Sequence, residues 1–154
     1  MNKFANQKKF TINDIIKILP HRYPFILIDS IEIIEKGKSL IALKNTTINE
    51  PYFQGHFPGQ PVMPGVLSLE IMAQAGSFLM LSQVKDPLSM NMFFSTVEKT
   101  KFRKPIVPGD QLKVHMNLVK QKLNLCKFHG RCIVDERLVA EAQFSANLVE
   151  RVRE

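Results

Sequence analysis

The chain has 154 residues, of which 45% are hydrophobic and 23% are charged, and its net charge is +7. These values exclude disordered, collagen-like and disulfide-rich proteins and predict one globular domain spanning residues 1–154. The basic excess is compatible with a nucleic acid, an anionic membrane or an acidic protein as partner, and equally with a solvated surface. The most apolar stretch, 66–81, contains several polar residues and predicts no membrane span, and the first ten residues lack a secretory signal, so a cytoplasmic location is expected.

The first predicted elements are a short helix and a β-hairpin. Thr11 and Asp14 are typical capping residues beside an apolar run, and Pro20 ends that helix. Segments 25–34 and 40–48 are rich in β-branched and aromatic residues and are separated by a glycine-containing turn, which predicts two paired strands.

A rigid loop and a long helix follow. Residues 51–65 include four prolines and three glycines, which exclude a regular element. Residues 66–83 contain no proline and are apolar almost all round, so they predict one long helix that other structure must cover.

The rest of the chain predicts an antiparallel meander. Four segments have the composition of strands and are joined by turns: 91–102, 112–118, 123–134 and 138–149. With the helix they predict an α+β fold in which the sheet covers one side of the helix, and the uncovered side indicates a second copy of the chain.

Cys126 and Cys132 lie six residues apart in one predicted strand, too far for a disulfide, so both are expected to be free thiols in a reducing compartment.

Three features of the loop and the helix carry the chemistry. His56 lies in the stiffened loop, where an imidazole is able to act as a base. Glu70 lies in the apolar helix with Gln74 and Ser77 on the same face, and a carboxyl group in apolar surroundings tends to keep its proton and suits a proton donor. Gly65 lies at the helix start, where N–H groups without intrahelical partners polarise a carbonyl oxygen.

Each feature, taken alone, also has a purely structural explanation. A histidine is often held by backbone carbonyls, a polar stripe often fixes packing or dimer register, and a Pro-Gly pair often simply begins a helix. Together, a base, an acid and an oxyanion donor beside an apolar interior are the parts that remove a proton next to a carbonyl and expel a β-hydroxyl group as water.

Three segments carry a resemblance to a known family. They are LPHRYPF at 19–25, GHFPGQPVMPGVL at 55–67 followed by Glu70 and MAQ at 72–74, and KFRKPIVPGDQL at 101–112. In these segments the chain resembles the (3R)-hydroxyacyl-acyl carrier protein dehydratases of bacterial type II fatty acid synthesis. Their order and spacing extend the resemblance over most of the chain.

The resemblance implies a hot-dog fold, in which an antiparallel sheet wraps around one long central helix, and a homodimer that commonly assembles into a trimer of dimers. It implies His56 as the catalytic histidine, Glu70 as the acid supplied by the partner subunit, and the Gly65 N–H as the group that binds the thioester carbonyl. It also implies an acyl carrier protein as partner, no metal or redox cofactor, and a place in fatty acid and lipid A biosynthesis.

The reaction expected from the resemblance begins when His56 takes a proton from C2 of the substrate while the Gly65 N–H holds the carbonyl oxygen. Glu70 then helps the C3 hydroxyl group leave as water, which gives a trans-2-enoyl thioester. A related dehydratase that also isomerises the double bond has Asp at the position of Glu70, so dehydration without isomerisation is favoured.

The acyl chain is expected to lie against apolar side chains near this site. The family often has a tyrosine near 91–95 that gates the acyl tunnel, but this chain has phenylalanines there, so that role is not transferred. The predicted wall residues, each of which also suits ordinary core packing, are Phe57, Val62, Leu67, Met72, Phe93 and Phe94.

Four basic residues form the predicted docking patch for the acidic carrier protein: Lys99, Lys101, Arg103 and Lys104. The first three are predicted to alternate onto one face of a strand. The alternative is a solvated strand edge that lysines protect from aggregation.

Two other functions are compatible with parts of the sequence. A hot-dog acyl-thioester hydrolase would use the same apolar slot but activate water. A basic nucleic-acid-binding module would need an aromatic or recognition-helix pattern, whereas Trp is absent and the aromatic residues lie mostly in apolar segments, so no nucleic acid partner is expected.

Overall fold

The computed structural model describes residues 4 and 6–152 of the chain. Two short 3-10 turns, Pro51–Gln54 and Pro87–Ser89, stand between the main elements. In chain order those elements are β1 (Lys9–Thr11), α1 (Ile12–Ile15), β2 (Ser30–Glu35), β3 (Ser39–Asn45), α2 (Gly65–Leu81), β4 (Met90–Phe102), β5 (Gln111–Lys122), β6 (Leu125–Val134) and β7 (Arg137–Glu150).

All the strands join one antiparallel sheet in the order β1-β2-β3-β5-β6-β7-β4. Strand β6 alternates exposed and buried residues along most of its length, as expected of a sheet with one face against a core. The long helix α2 packs against the buried face of that alternation and contacts β3 to β7. The predicted α+β architecture, with an antiparallel sheet around one long helix, is confirmed.

Helix α2 approaches the sheet closely. Residues 71–81 are buried, and Phe78 and Leu79 are fully inaccessible. At Gly130 on β6, an added Cβ atom would lie 2.6 Å from the Met72 sulfur atom, so a side chain there would require the Met72 side chain to move. The helix therefore sits in the core rather than on the surface.

The N-terminal region, from β1 to the segment before β2, also packs against α2. The Phe10 ring packs edge-on against Phe78 with 5.0 Å between centroids, and Gln74 hydrogen-bonds to the backbone of residues 25 and 27. The expectation of an uncovered helix side is therefore wrong for residues 71–81, because this chain buries them itself. The more open part of α2 is residues 65–70, where Val66 is 65% exposed.

The elements before the helix differ most from the prediction. The predicted strand 25–34 forms only from residue 30, because residues 25 and 27 bond to a helix side chain instead of another strand. The second strand ends at Asn45, after which the Thr46 N–H turns to bond the Asp110 carbonyl. Helix α1 ends at Ile15 and is followed by hydrogen-bonded turns up to Leu19, and the predicted capping by Asp14 is present.

The free cysteines are confirmed within the part of the chain that the structure describes. Both Cys126 and Cys132 are buried on β6 and neither is in a disulfide. Burial raises the pKa of both thiols, that of Cys132 to about 12. These side chains therefore act as packing groups rather than as nucleophiles.

Candidate active site

The loop between β3 and α2 holds His56 in one orientation. Its Nδ1 lies 2.6 Å from the Val62 carbonyl oxygen. Because a carbonyl oxygen only accepts hydrogen bonds, Nδ1 carries the proton in the neutral ring and Nε2 has a lone pair available. Backbone bonds from the His56 N–H to the Tyr52 carbonyl (3.0 Å) and from the Val62 N–H to the His56 carbonyl (2.8 Å) fix the same loop. The imidazole is thus presented as a base.

A tight turn and one anchor keep this loop in place. Phe57 and Gln60 exchange backbone hydrogen bonds of 3.0 and 2.9 Å around Gly59, whose φ is +77°. The Met63 N–H donates to the Ile106 carbonyl at 2.8 Å, which ties the loop to the segment between β4 and β5. The Phe57 ring stacks on the imidazole with 3.9 Å between centroids. The proline- and glycine-rich sequence thus makes a rigid support.

His56 opens onto a largely apolar cavity of about 420 Å³. Val62 and Gly65 line it on the loop and helix side, and Phe102 and Ile106 line it on the other. The predicted residues His56, Val62 and Gly65 are therefore brought together. Sequence reasoning missed Phe102 as a wall residue, because it reads as an ordinary apolar residue at the end of a strand.

Gly65 lies where the first turn of α2 meets the cavity. The first N–H groups of a helix have no intrahelical acceptor, and the helix dipole makes this end attractive to an anionic oxygen. An added Cβ at Gly65 would lie only 3.0 Å from a carbon of the Phe102 ring. Ser68 donates its hydroxyl proton to the Gly65 carbonyl at 2.6 Å and so reinforces the turn. Glycine therefore allows the aromatic wall to approach this end of the helix closely.

Glu70 has different surroundings from His56 within one chain. Its side chain is 29% exposed. Its place in an apolar helix suggested deeper burial than this. Its Oε1 accepts a hydrogen bond from Gln74 Nε2 at 3.0 Å and lies 3.8 Å from His21 Nε2. Glu70 is not among the residues that line the His56 cavity. One chain therefore does not place the predicted acid and base on a common cavity.

The polar stripe of α2 has structural partners as well. Gln74 is fully buried, accepts the Leu27 N–H at 3.0 Å and donates to the Phe25 carbonyl at 2.7 Å. Ser77 lines a smaller cavity of about 170 Å³ that His21 and Phe93 also line. The stripe thus connects Glu70 to the N-terminal region.

The predicted wall residues fall in three places. Val62 lines the His56 cavity and Phe57 stacks on the imidazole, whereas Phe93 lines the smaller cavity near His21. The others belong to or pack against the core: Met72 is fully buried, Leu67 is half-buried, and Phe94 contacts the Phe144 ring at 5.7 Å between centroids.

The predicted basic patch is not one regular strand face. A bulge interrupts β4 between Glu98 and Lys101, with Lys99 at a φ of +50°, and Arg103 lies beyond the end of the strand. The predicted period-two alternation is therefore wrong. Arg103 donates a hydrogen bond to Glu141, which holds the pKa of that carboxyl below its usual value. Arg103 and Lys104 both line the His56 cavity, which places two of the four predicted basic residues at its edge.

Comparison with known protein families matches the part of the chain that contains this site. The sequence model of the FabA-like domain matches residues 19–143, which include the His56 loop, α2 and the basic segment. The chain belongs to the FabA-like family. The family predicted from the three sequence segments is thus confirmed.

Members of the FabA-like family with curated names align with nearly the whole chain. The 3-hydroxyacyl-[acyl-carrier-protein] dehydratase FabZ of Koribacter versatilis is 46% identical over 140 residues, 91% of this chain and 90% of that protein. The protein of the same name from Nitratidesulfovibrio vulgaris strain DP4 is 47% identical over 146 residues, 94% of this chain and 95% of that protein. The bifunctional enzyme LpxC/FabZ of Chlorobaculum tepidum is 42% identical over 153 residues, 97% of this chain and 33% of that enzyme.

Solved structures confirm the hot-dog fold of this FabA-like chain. The dehydratase heterocomplex ApeI:P from Xenorhabdus doucetiae matches with a TM-score of 0.75 and 15% identity, over 89% of this chain and 91% of that one. A hypothetical thioesterase with coenzyme A from Streptococcus pneumoniae TIGR4 matches with a TM-score of 0.59 and 13% identity, over 80% and 88% of the two chains. Since dehydratases and thioesterases share the fold, the fold alone does not choose between them.

Neither a membrane-crossing helix nor a metal-binding cluster occurs among residues 4 and 6–152. Each helix in these residues is too short or too polar to cross a membrane. Within the same residues, no three or more His, Cys, Asp or Glu side chains are grouped to hold a metal ion.

Proposed function

We propose that this chain dehydrates (3R)-hydroxyacyl-acyl carrier protein to the trans-2-enoyl thioester in fatty acid biosynthesis. The observation that carries this proposal is the orientation of His56, whose Nδ1 is held by the Val62 carbonyl, on an apolar cavity beside the open N-terminus of α2. The dehydratases that are 46–47% identical to this chain support the same reaction. No comparable observation favours the acyl-thioester hydrolase.

In the proposed reaction His56 is the base. Its Nε2 takes the proton from C2 of the substrate, and the electron pair of that C–H bond shifts toward the thioester carbonyl. The Gly65 N–H donates to the carbonyl oxygen, where negative charge develops. The apolar walls exclude water, which strengthens this donor–oxyanion interaction.

Glu70 of the partner subunit supplies the acid in this proposal. It protonates the C3 hydroxyl group, directly or through a water molecule, and the C3–O bond breaks with its electron pair leaving on water. The separation of Glu70 from the His56 cavity within one chain supports an acid supplied in trans. A second copy of the chain would bring the two groups together at each of two sites.

The surface of β4 supports pairing with a second copy. This 13-residue strand is last in the strand order, so its outer edge has no neighbour in the described part of the chain. Its apolar residues Phe93 and Val97 are 61% and 48% exposed. An edge of this length is normally covered in a stable protein. We propose a homodimer across β4 and, from the resemblance, a trimer of such dimers.

The carrier protein is proposed to dock beside the His56 cavity. Lys104 lies on its lining and Lys99 and Lys101 are on the adjacent strand, so a negatively charged carrier would be steered to the entrance. Arg103 contributes less free charge because Glu141 accepts its hydrogen bond.

The unpaired buried thiols support a reducing, cytoplasmic location for this reaction.

Mixing two inactive variants tests the proposal most sharply. We expect H56A and E70Q each to lower kcat by about 100- to 10,000-fold, since each removes a general acid–base group. Co-refolded in equal amounts, they should regain about a quarter of wild-type activity, because half the random dimers carry one intact site of two. Enoyl product and free thiol are measured together, so that hydrolysis is separated from dehydration.

The matched control is H115A, which replaces a histidine on β5 outside the site and should leave kcat unchanged. Folding and oligomeric state of every variant are checked by circular dichroism and sedimentation. Near wild-type dehydration by H56A or E70Q would disprove the assigned roles. Two inactive parents whose mixture stays inactive would place both groups in one chain, and release of thiol without enoyl product would favour the hydrolase.

A further inference from the structure

The turn formed by residues 19–25 fixes a second histidine, His21, next to α2. Arg22 Nη1 donates to the Leu19 carbonyl at 2.8 Å and to the His21 carbonyl at 2.7 Å. The Phe25 N–H donates to the Arg22 carbonyl at 2.8 Å and closes the turn. The backbone that carries the imidazole is thus held on both sides.

The two ring nitrogens of His21 have unlike surroundings. Nε2 lies 3.8 Å from Glu70 Oε1, with the His21 side chain 25% exposed. Nδ1 is buried and has no hydrogen-bond partner among the described residues. Buried N–H donors without acceptors are rarer than buried acceptors without donors, so the proton of the neutral ring belongs on Nε2. The nitrogen that carries this N–H is the one that lies 3.8 Å from Glu70 Oε1.

The ring is neutral at physiological pH for a physical reason. Burial lowers the pKa of His21, an effect that Glu70 opposes and the Arg22 guanidinium reinforces. A second proton would have to sit on the buried Nδ1, where no acceptor is found within residues 4 and 6–152. His21 therefore meets Glu70 as an uncharged donor rather than as a cation.

One carboxylate oxygen of Glu70 is held and the other is not. Gln74 Nε2 donates to Oε1 at 3.0 Å, and Gln74 is itself fixed by the backbone of residues 25 and 27. His21 approaches the same oxygen. Oε2 has no hydrogen-bond partner in the described part of the chain. Both neighbouring N–H groups therefore lie on the Oε1 side of the carboxyl group, and Oε2 is the oxygen without a donor.

We propose that His21 is a positioning residue for Glu70: its Nε2–H and the Gln74 amide hold Oε1, so that Oε2 delivers the proton to the leaving hydroxyl group. This inference rests on the proposed function. When the proton leaves Oε2 and the C3–O bond breaks, Glu70 remains as a carboxylate, and the two donors stabilise the new charge. The 3.8 Å distance between His21 Nε2 and Glu70 Oε1 shortens at that moment, as catalytic hydrogen bonds often do. The proton taken by His56 returns to Glu70 through solvent and closes the cycle.

A pair of amide replacements separates positioning from packing. In H21Q the amide nitrogen reaches the place of Nε2, whereas in H21N it reaches only the place of Nδ1. We expect H21N to lower kcat by about 10- to 100-fold, as for the loss of a hydrogen bond to a charged group, with KM changed less than about twofold. H21Q should recover kcat to within about fivefold of wild type. H115N is the matched control.

A double-mutant cycle with E70Q tests whether His21 acts through Glu70. We expect H21N/E70Q to be no slower than E70Q alone, because a positioning residue has nothing left to position. Losses that multiply would overturn the inference, and so would equal activity of H21N, H21Q and wild type, or equal impairment of the two amide variants. An active E70Q would instead refute the role of Glu70 in the proposed function.

Discussion

At the scale of single residues, the Val62 carbonyl determines what His56 is able to do. By accepting the Nδ1 proton at 2.6 Å it selects the tautomer whose Nε2 is basic. Val62 was predicted as an apolar wall, and it does line the cavity. The Val62 backbone has a second role, because its carbonyl orients His56. This role was not predicted, since the pattern of side chains in a sequence does not reveal backbone contacts across a loop.

Gly65 allows a direct test of how closely the cavity wall is fitted. In G65A the new Cβ would lie 3.0 Å from the Phe102 ring, so that ring must shift by a few tenths of an ångström. We expect kcat/KM to fall by about 3- to 10-fold, because small displacements at a reacting site are costly. Steady-state dehydration kinetics measure the effect.

Gly76 provides the matched helical control for G65A. A Cβ there would meet the Phe128 ring at 3.6 Å, an ordinary contact. G76A should keep wild-type activity and gain about 0.5–1 kcal/mol of unfolding free energy from helix propensity. G65A/F102L should recover part of the lost activity. Unchanged kinetics in G65A would contradict this prediction, because the Phe102 ring would then move without affecting the reaction.

Residue types were predictable from the sequence, but their surroundings were not. A histidine in a stiff loop, an acid in an apolar helix and a glycine at its start are all recognisable from residue order alone. The partial exposure of Glu70 and the contact with His21 depend on how residues 19–28 fold over α2. Those contacts join residues about fifty positions apart, which local patterns do not encode.

At the scale of elements, Gln74 joins α2 to the N-terminal region. A single buried amide satisfies the Leu27 N–H, the Phe25 carbonyl and one oxygen of Glu70. It takes the place of a strand partner for this part of the backbone. The segment therefore both packs against the helix and helps to support Glu70.

Replacing Gln74 should loosen this junction measurably. Q74L would leave the buried Leu27 N–H and the part-buried Phe25 carbonyl without their side-chain partners, so we expect the free energy of unfolding to fall by about 2–4 kcal/mol. Urea unfolding followed by circular dichroism measures the difference. The exposed Q121L on β5 is the control and should change stability by less than about 0.5 kcal/mol. Equal unfolding midpoints for Q74L and wild type would contradict this role.

The long helix was predicted well because it is long, free of proline and apolar almost all round, and the last strands because their residues alternate between a buried and a more exposed face. The predicted helix 66–83 and the observed Gly65–Leu81 differ by one or two residues at each end. The short strand β1 was missed because it has three residues, two of them exposed. The bulge in β4 was missed because a left-handed residue such as Lys99 carries no local signal of a break.

At the scale of the whole molecule, the proposed site needs two chains. The α+β architecture was predictable, since one apolar helix and a set of short-turned strands have few ways to pack, and the hot-dog fold was predicted from the family resemblance. The expectation of one domain over residues 1–154 stays a prediction. The second copy was inferred from a bare helix side, but the support for it lies at the edge of the sheet.

A charge placed on that edge should separate the subunits. In V97K an ammonium group would be buried at the proposed β4 interface, so we expect the dimer dissociation constant to rise at least about 30-fold and dehydration to fall with it. Sedimentation velocity and activity are measured on the same samples. V119K replaces another exposed valine, on β5, and should leave the dimer intact. A V97K protein that remains a fully active dimer would exclude this interface.

The two edge strands of the sheet also differ in how readily they could pair with strands of other molecules. At one edge β1 presents three residues, with Lys9 beside Glu32, too short and too charged to template further strands. At the other, β4 presents thirteen residues with exposed Phe93 and Val97. Newly made chains are therefore expected to be most prone to aggregation before they find a partner, and any misassembly should proceed through β4 rather than β1. The bulge at Lys99 interrupts this strand and shortens the flat stretch open to such growth.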